Sequence, residues 1–188
     1  EILAKGNFLK YTKIHIPIDG LLMLDGLRKL LKKEISKLYP RVSIQTKTCD
    51  VSIKEQVEDF AEFCLSAFDK IDILINNAGN AHGLDPIHEG SLDDWDAMMD
   101  INVKGLLYVS KAVIPQMTKR KSGHIINIGS SAGKEVYPKG NVYCASKHAV
   151  VAITDGMRID LNPFGIKVSA INPGLVETEF SKVRFKND

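Results

Sequence analysis

Tyr143 and Lys147 lie four residues apart at the start of a stretch, 143–161, whose apolar spacing predicts a helix. Residues at that offset share a helix face, so a phenol and an ammonium point into the same space. A free tyrosine titrates near 10 and handles protons poorly at neutral pH; a cation beside it favours the phenolate and lowers that value. The pair is therefore a candidate general acid/base, with an ion-facing surface pair as the plain alternative. Ser130 precedes Tyr143 by thirteen residues and follows an apolar run, where a hydroxyl can hydrogen-bond a carbonyl. Asn102 interrupts an apolar helical stripe. An amide there needs a polar partner, either in a reaction or in a neighbouring backbone carbonyl.

These side chains need a scaffold, and the chain supplies alternating periodicities. Leu27, Leu30, Leu31, Ile35 and Leu38 follow helical spacing, and Val42, Ile44 and Thr46 then alternate as a strand running to Cys49. Ser52 with Glu55 reads as a capping box for a helix striped by Val57, Phe60, Ala61, Cys64 and Phe68. Ile71 to Ile75 reads as a strand covered on both faces. Ser91 and Asp94 cap a long helix towards Pro115, and His124 to Ile128 and Ile166 to Ile171 are two more strands. Strand and helix in alternation predict right-handed crossovers and a doubly wound parallel α/β sheet with helices on both faces. The first 25 residues fit neither period, because Pro17 and Gly20 break the apolar runs. No linker or repeat divides the chain, so residues 1–188 are expected to form a single nucleotide-binding domain.

Open parallel sheets bind ligands at the carboxyl ends of their strands. Asp50, Asn76-Asn77-Ala78-Gly79, Gly129-Ser130-Ser131-Ala132-Gly133 and Asn172-Pro173-Gly174 each follow a predicted strand. Any one of them reads as an ordinary turn; four on one edge form a site.

Composition narrows the partners. Apolar residues make up 44% and charged residues 26% of 188, with 25 basic against 23 acidic side chains. A net charge of +2 offers no large basic field for nucleic acid or an anionic membrane. No apolar stretch approaches a membrane span, and residues 1–13 do not read as a signal peptide. Cys49, Cys64 and Cys144 are odd in number and far apart, and the histidines are scattered. That pattern predicts inert thiols in a reducing, cytoplasmic setting and no metal site.

Asn76-Asn77-Ala78-Gly79, Asn102 in Asp100-Ile101-Asn102-Val103, Ser130, Tyr143-Cys144-Ala145-Ser146-Lys147 and Asn172-Pro173-Gly174 together resemble the short-chain dehydrogenase/reductase family, over residues 45–180. The resemblance implies a Rossmann-like fold and hydride transfer between a nicotinamide cofactor, NADP in preference to NAD, and a small hydroxy compound. It makes Tyr143 the general acid/base and has Lys147 lower its pKa and hold the nicotinamide ribose. Ser130 would orient the carbonyl, and Asn102 would hold a relay water. Asp50 and Val51 resemble an adenine-contacting pair, while Asn76, Ala78 and Gly79 resemble the turn beneath the cofactor. Pro173, Gly174, Val176 and Thr178 resemble the segment that wraps the nicotinamide. Residues 93–95, 124–130 and 174–185 look closest to the NADP-dependent 3-hydroxy acid dehydrogenases, which act on serine and allo-threonine and are usually tetramers. A homo-oligomer, tetramer or dimer, is expected accordingly. Arg184, among Lys182 and Lys186, then becomes a candidate clamp for a substrate carboxylate, against the plain alternative of a solvated basic run.

Two features depart from the family pattern. Its Gly-rich phosphate turn is not matched, since the glycines before Gly79 are Gly6, Gly20 and Gly26. The pattern also implies either a chain extending beyond both ends of these 188 residues or a divergent segment over residues 1–25. Two rival readings remain at this level. One is a non-catalytic nucleotide-binding or regulatory member of the fold. The other is a serine hydrolase built on Gly129-Ser130-Ser131-Ala132-Gly133, for which only His148 and Glu135 are at hand.

Overall fold

The structure is a computed structural model and describes residues 32–175. Residues 1–31 and 176–188, with Leu27, Leu30, Leu31, Val176, Thr178, Lys182, Arg184 and Lys186, lie outside the described residues. Residues 32–38 are helical, as the leucine spacing predicts.

The elements that position the site follow in chain order. Helix α1 is Lys54–Phe68, strand β1 is Ile73–Asn76, and helix α2 is Leu92–Met99. A wide helical turn, Asp100–Gly105, joins α2 to α3, Leu106–Arg120. Strand β2, His124–Ile128, leads through a tight 3-10 turn, Ser131–Gly133, to helix α4, Asn141–Leu161, and strand β3 is Lys167–Ile171.

The strands lie in the order β1-β2-β3 and all pairs are parallel, with Asn76 opposite Asn127 and Ile128 opposite Ile171. Successive parallel neighbours demand right-handed crossovers, and crossovers running in one direction place their helices on one face. The burial pattern agrees: Ile125 and Asn127 of β2 are wholly buried, while Ile126 and Ile128 on the other face are only partly so. Val113, Met117, Ile125, Leu161, Ile166 and Val168 form the core between α3, α4 and the sheet. Arg120 closes the lower end, donating to the Ile71 carbonyl at 2.7 Å and to Asp72 Oδ1 at 2.9 Å.

Local signals hold where their partners are local. Ser91 caps α2, its hydroxyl accepting from the Asp94 N–H at 3.3 Å. The Ser52 cap is different. Helix α1 begins behind Ile53, which makes no side-chain cap. The Ser52 hydroxyl instead donates to Asp50 Oδ1 at 2.6 Å, so a nearer carboxylate outcompetes the helix end. Residues 42–50 pair with no other strand among the described residues. A strand exists through its ladder, and no described neighbour offers one. Strand β1 is an edge among the described residues, which leaves Ile73 40% exposed where coverage on both faces is expected. Pro115 sits exposed inside α3, and the helix continues past it to Arg120.

Candidate active site

Lys147 is 6% exposed although it carries an ammonium. Its Nζ donates to the Ile128 carbonyl, at the carboxyl end of β2, at 3.2 Å. It lies 5.9 Å from the centre of the Tyr143 ring, itself buried one helical turn earlier on α4. Burial pushes the Lys147 pKa down to about 8. The cation therefore persists at neutral pH, because desolvation weakens the charged form without abolishing it there.

Gly79 explains how the loop after β1 comes so close. A Cβ at Gly79 would lie 3.2 Å from Asn102 Oδ1 and 3.4 Å from Lys147 Nζ. The absent side chain lets bare backbone pass beside the ammonium, leaving a cradle that a Cβ would partly fill.

Asn102 is buried at 2% exposure inside the wide turn between α2 and α3. Such turns insert an extra residue into a helix and are frequent at functional sites. Its Oδ1 accepts from the Asn80 N–H at 2.8 Å, and its Nδ2 donates to the Asn80 carbonyl at 2.9 Å and to Ser146 Oγ at 3.0 Å. The neighbouring-carbonyl partner considered for Asn102 is thus present, together with two further bonds.

Ser130 caps the 3-10 turn by accepting from the Ala132 N–H at 3.1 Å, which uses a lone pair and leaves its O–H able to donate. The turn packs hard on α4. A Cβ at Gly133 would meet the Lys147 carbonyl oxygen at 2.7 Å, and Ala132 shares a core cluster with Tyr143. The Asn172-Pro173-Gly174 segment is laced to the same edge, with the Ser131 N–H donating to Pro173 O at 2.9 Å and the Gly129 N–H to Ile171 O at 2.8 Å.

The remaining candidates sit further out. Asn76 turns its amide into the core, donating to Ser110 Oγ at 3.1 Å and Asn127 Oδ1 at 2.8 Å. Ala78 is half-buried in the loop that leads to Gly79. Asp50 accepts from the N–H and hydroxyl of Ser52 ahead of α1, and Val51 beside it is buried. Pro173 is half-buried and Gly174 exposed. The hydrolase arrangement does not form among the described residues: His148 Nδ1 pairs with the Cys144 carbonyl of its own helix at 2.8 Å and not with a serine.

Residue-type reasoning singled out neither Asn80 nor Ser146, although both hold Asn102. Only their places beside Gly79 and Lys147 marked them. Nor did it find His82, whose Nε2 lies 3.0 Å from Asn80 Nδ2. His82 lines a shallow open cleft with Asp85, Asp94, Trp95, Lys139 and Tyr143.

The donor set suits a nicotinamide nucleotide. Lys147 spends one of three N–H donors on Ile128, leaving two for ribose hydroxyls beside the bare Gly79 backbone.

Comparison with known proteins points the same way. The profile of the short chain dehydrogenase family matches residues 22–188. The NADP-dependent 3-hydroxy acid dehydrogenase YdfG of Salmonella typhi is 46% identical over 147 residues, 78% of this chain and 59% of that protein. Its counterpart in Escherichia coli strain K12 is 47% identical over 140 residues, covering 74% of this chain and 56% of the relative. The chain thus spans less than two thirds of the length of these relatives. Among solved structures, the closed form of serine dehydrogenase complexed with NADP+ superposes with a TM-score of 0.75 at 42% identity, covering 84% of this chain and 64% of the other. NAD+-bound xylitol dehydrogenase gives a TM-score of 0.75 at 35% identity, covering 83% and 64%.

Proposed function

The chain belongs to the short-chain dehydrogenase family, and on that premise we propose that it is an oxidoreductase acting with NADP on a small hydroxy compound, of the 3-hydroxy acid class. The observation that carries this reading is the buried Lys147 ammonium, held by Ile128 O, near the Tyr143 ring and beside the Gly79 turn. NADP, when bound, supplies the hydride acceptor for oxidation and, reduced, the hydride donor for the reverse direction.

The chain's own residues manage the proton and the oxygen. Tyr143 Oη takes the proton from the substrate hydroxyl in oxidation and returns it to the carbonyl oxygen in reduction. Lys147, charged at neutral pH, offers two N–H donors to the cofactor's ribose. The Ser130 hydroxyl donates to the substrate oxygen, where charge develops as the carbonyl forms or breaks. Asn102, bonded to the Asn80 backbone, holds the turn beside Gly79 and would keep a relay water. Asp50 and Val51 would meet the adenine, and Pro173, Gly174, Val176 and Thr178 the nicotinamide. Arg184 would clamp the substrate carboxylate. The protein would work as a homo-oligomer in the cytoplasm. Among the described residues no helix is long and apolar enough to cross a membrane.

The full-length protein should reduce NADP in the presence of a 3-hydroxy acid, read from the absorbance of the reduced nicotinamide. Tyr143→Phe should lower kcat by at least about a thousandfold while NADP still binds, since only the proton-handling group is removed. In the same assay Arg184→Ala should raise KM for hydroxy acids by about 10- to 100-fold and spare neutral alcohols. A Tyr143→Phe variant with wild-type turnover would rule out the mechanism.

A further inference from the structure

Ser146 lies on α4 between Tyr143 and Lys147 and is wholly buried. Its hydroxyl donates to the Tyr143 carbonyl at 2.8 Å and accepts from Asn102 Nδ2 at 3.0 Å. A hydroxyl has one hydrogen, and Ser146 spends it on its own helix, so towards Asn102 it can only accept. That fixes which end of the Asn102 amide faces α4. The second Nδ2 hydrogen and Oδ1 then meet the carbonyl and N–H of Asn80 at 2.9 and 2.8 Å. Donation runs from the Asn80 N–H through Asn102 and Ser146 to the Tyr143 carbonyl, with one bond returned from Asn102 Nδ2 to the Asn80 carbonyl, and a Cβ at the adjoining Gly79 would lie 3.4 Å from Lys147 Nζ.

We propose that Ser146 is a positioning residue: acting through Asn102, it ties the helix carrying Tyr143 and Lys147 to the Gly79-Asn80 turn and fixes the gap between the Lys147 ammonium and that backbone. Asn102 and Ser146 are both buried, so water does not replace the bond between them. Loss of the hydroxyl frees the turn to drift from α4. Misplacement by about 1 Å at a reacting centre costs on the order of a hundredfold in rate. The inference rests on the dehydrogenase reading only for its kinetic consequence; the geometric consequence at Lys147 does not need it.

The test uses the full-length protein. Ser146→Ala should lower kcat by about 10- to 100-fold with KM for the hydroxy acid within about threefold of wild type. Ser146→Thr and Ser146→Val have the same shape, so any packing fault is shared; the Thr variant should exceed the Val variant by at least about tenfold in kcat. In an Asn102→Ala background, Ser146→Ala should cost less than about threefold, because the link is already cut. Independently of turnover, NMR titration of the labelled Lys147 ammonium should show its pKa in Ser146→Ala moving upward by at least about half a unit towards the ordinary lysine value, as water enters the gap. Equal activities of the Thr and Val variants, or losses that multiply with Asn102→Ala, would overturn the proposal. If wild type turns over no hydroxy compound, the dehydrogenase reading fails, and an unmoved Lys147 titration then decides against Ser146 as well.

Discussion

At the scale of single residues, the decisive feature is a lysine kept buried and charged. Lys147 titrates at about 8 in the folded protein because burial penalises its charge, against about 10.4 in an unfolded chain. Below about pH 8 both states carry the proton, and folding bears the full cost of burying a cation. Between about 8 and 10.4 the native state releases the proton while the unfolded state keeps it. The unfolded state then binds more protons, so stability rises with pH, by up to about 1.4 kcal/mol per unit of difference. Above about 10.4 the contribution is level. Wild type should therefore gain stability relative to Lys147→Met across that window, measured by urea unfolding at several pH values. A difference independent of pH would mean that the ammonium is hydrated in the folded protein.

Between elements, a second buried polar chain ties the sheet to both of its described crossovers. Asn76 at the end of β1 donates to Asn127 of β2 and to Ser110 of α3. Asn127 in turn donates to Thr154 Oγ1 of α4 at 2.9 Å, and Thr154 donates to Val150 O at 2.7 Å. Ser110, Asn127 and Thr154 are each at most 1% exposed, so water cannot replace a lost partner. Thr154→Val keeps the shape and removes the acceptor. It should cost about 1–3 kcal/mol, the penalty for stranding a buried donor, seen as a lowered urea midpoint at unchanged slope. A loss below about 0.3 kcal/mol would show that the Asn127 amide finds another partner without cost. These residues carry strand ends that also bear Gly79 and Ser130, so the network aligns two loops of the site while standing outside it.

For the molecule as a whole, stability should be graded from the middle of the sheet outward. Strand β2 is hydrogen-bonded to a neighbour on both sides, and its Ile125 and Asn127 are wholly buried. Its amides should exchange with deuterium only through global unfolding, while those of residues 84–90, a largely exposed loop, exchange by local opening. Mass-spectrometric hydrogen exchange on peptides covering 84–90 and 124–128 checks this. Equal protection of the two segments would show that stability is not graded in this way.

The sequence by itself determined what depends on neighbours along the chain. Strand β2 at His124–Ile128, the Ser91 cap, the helix bringing Tyr143 and Lys147 onto one face, and the loops following each strand all follow from period and turn chemistry over a few residues. The strand-end motifs carry the family resemblance, and the family profile agrees with it. Tertiary structure decided wherever the partner is remote or two partners compete. Ser52 loses its capping role to Asp50, and Asn76 spends its amide inside the core. Asn102 meets Asn80 and Ser146, 22 and 44 residues away. A hydrogen bond over such distances leaves no period in the sequence, because what selects it is the folding of three elements onto one point. The same convergence buries the Lys147 ammonium and shifts its titration, which no spacing of residues encodes.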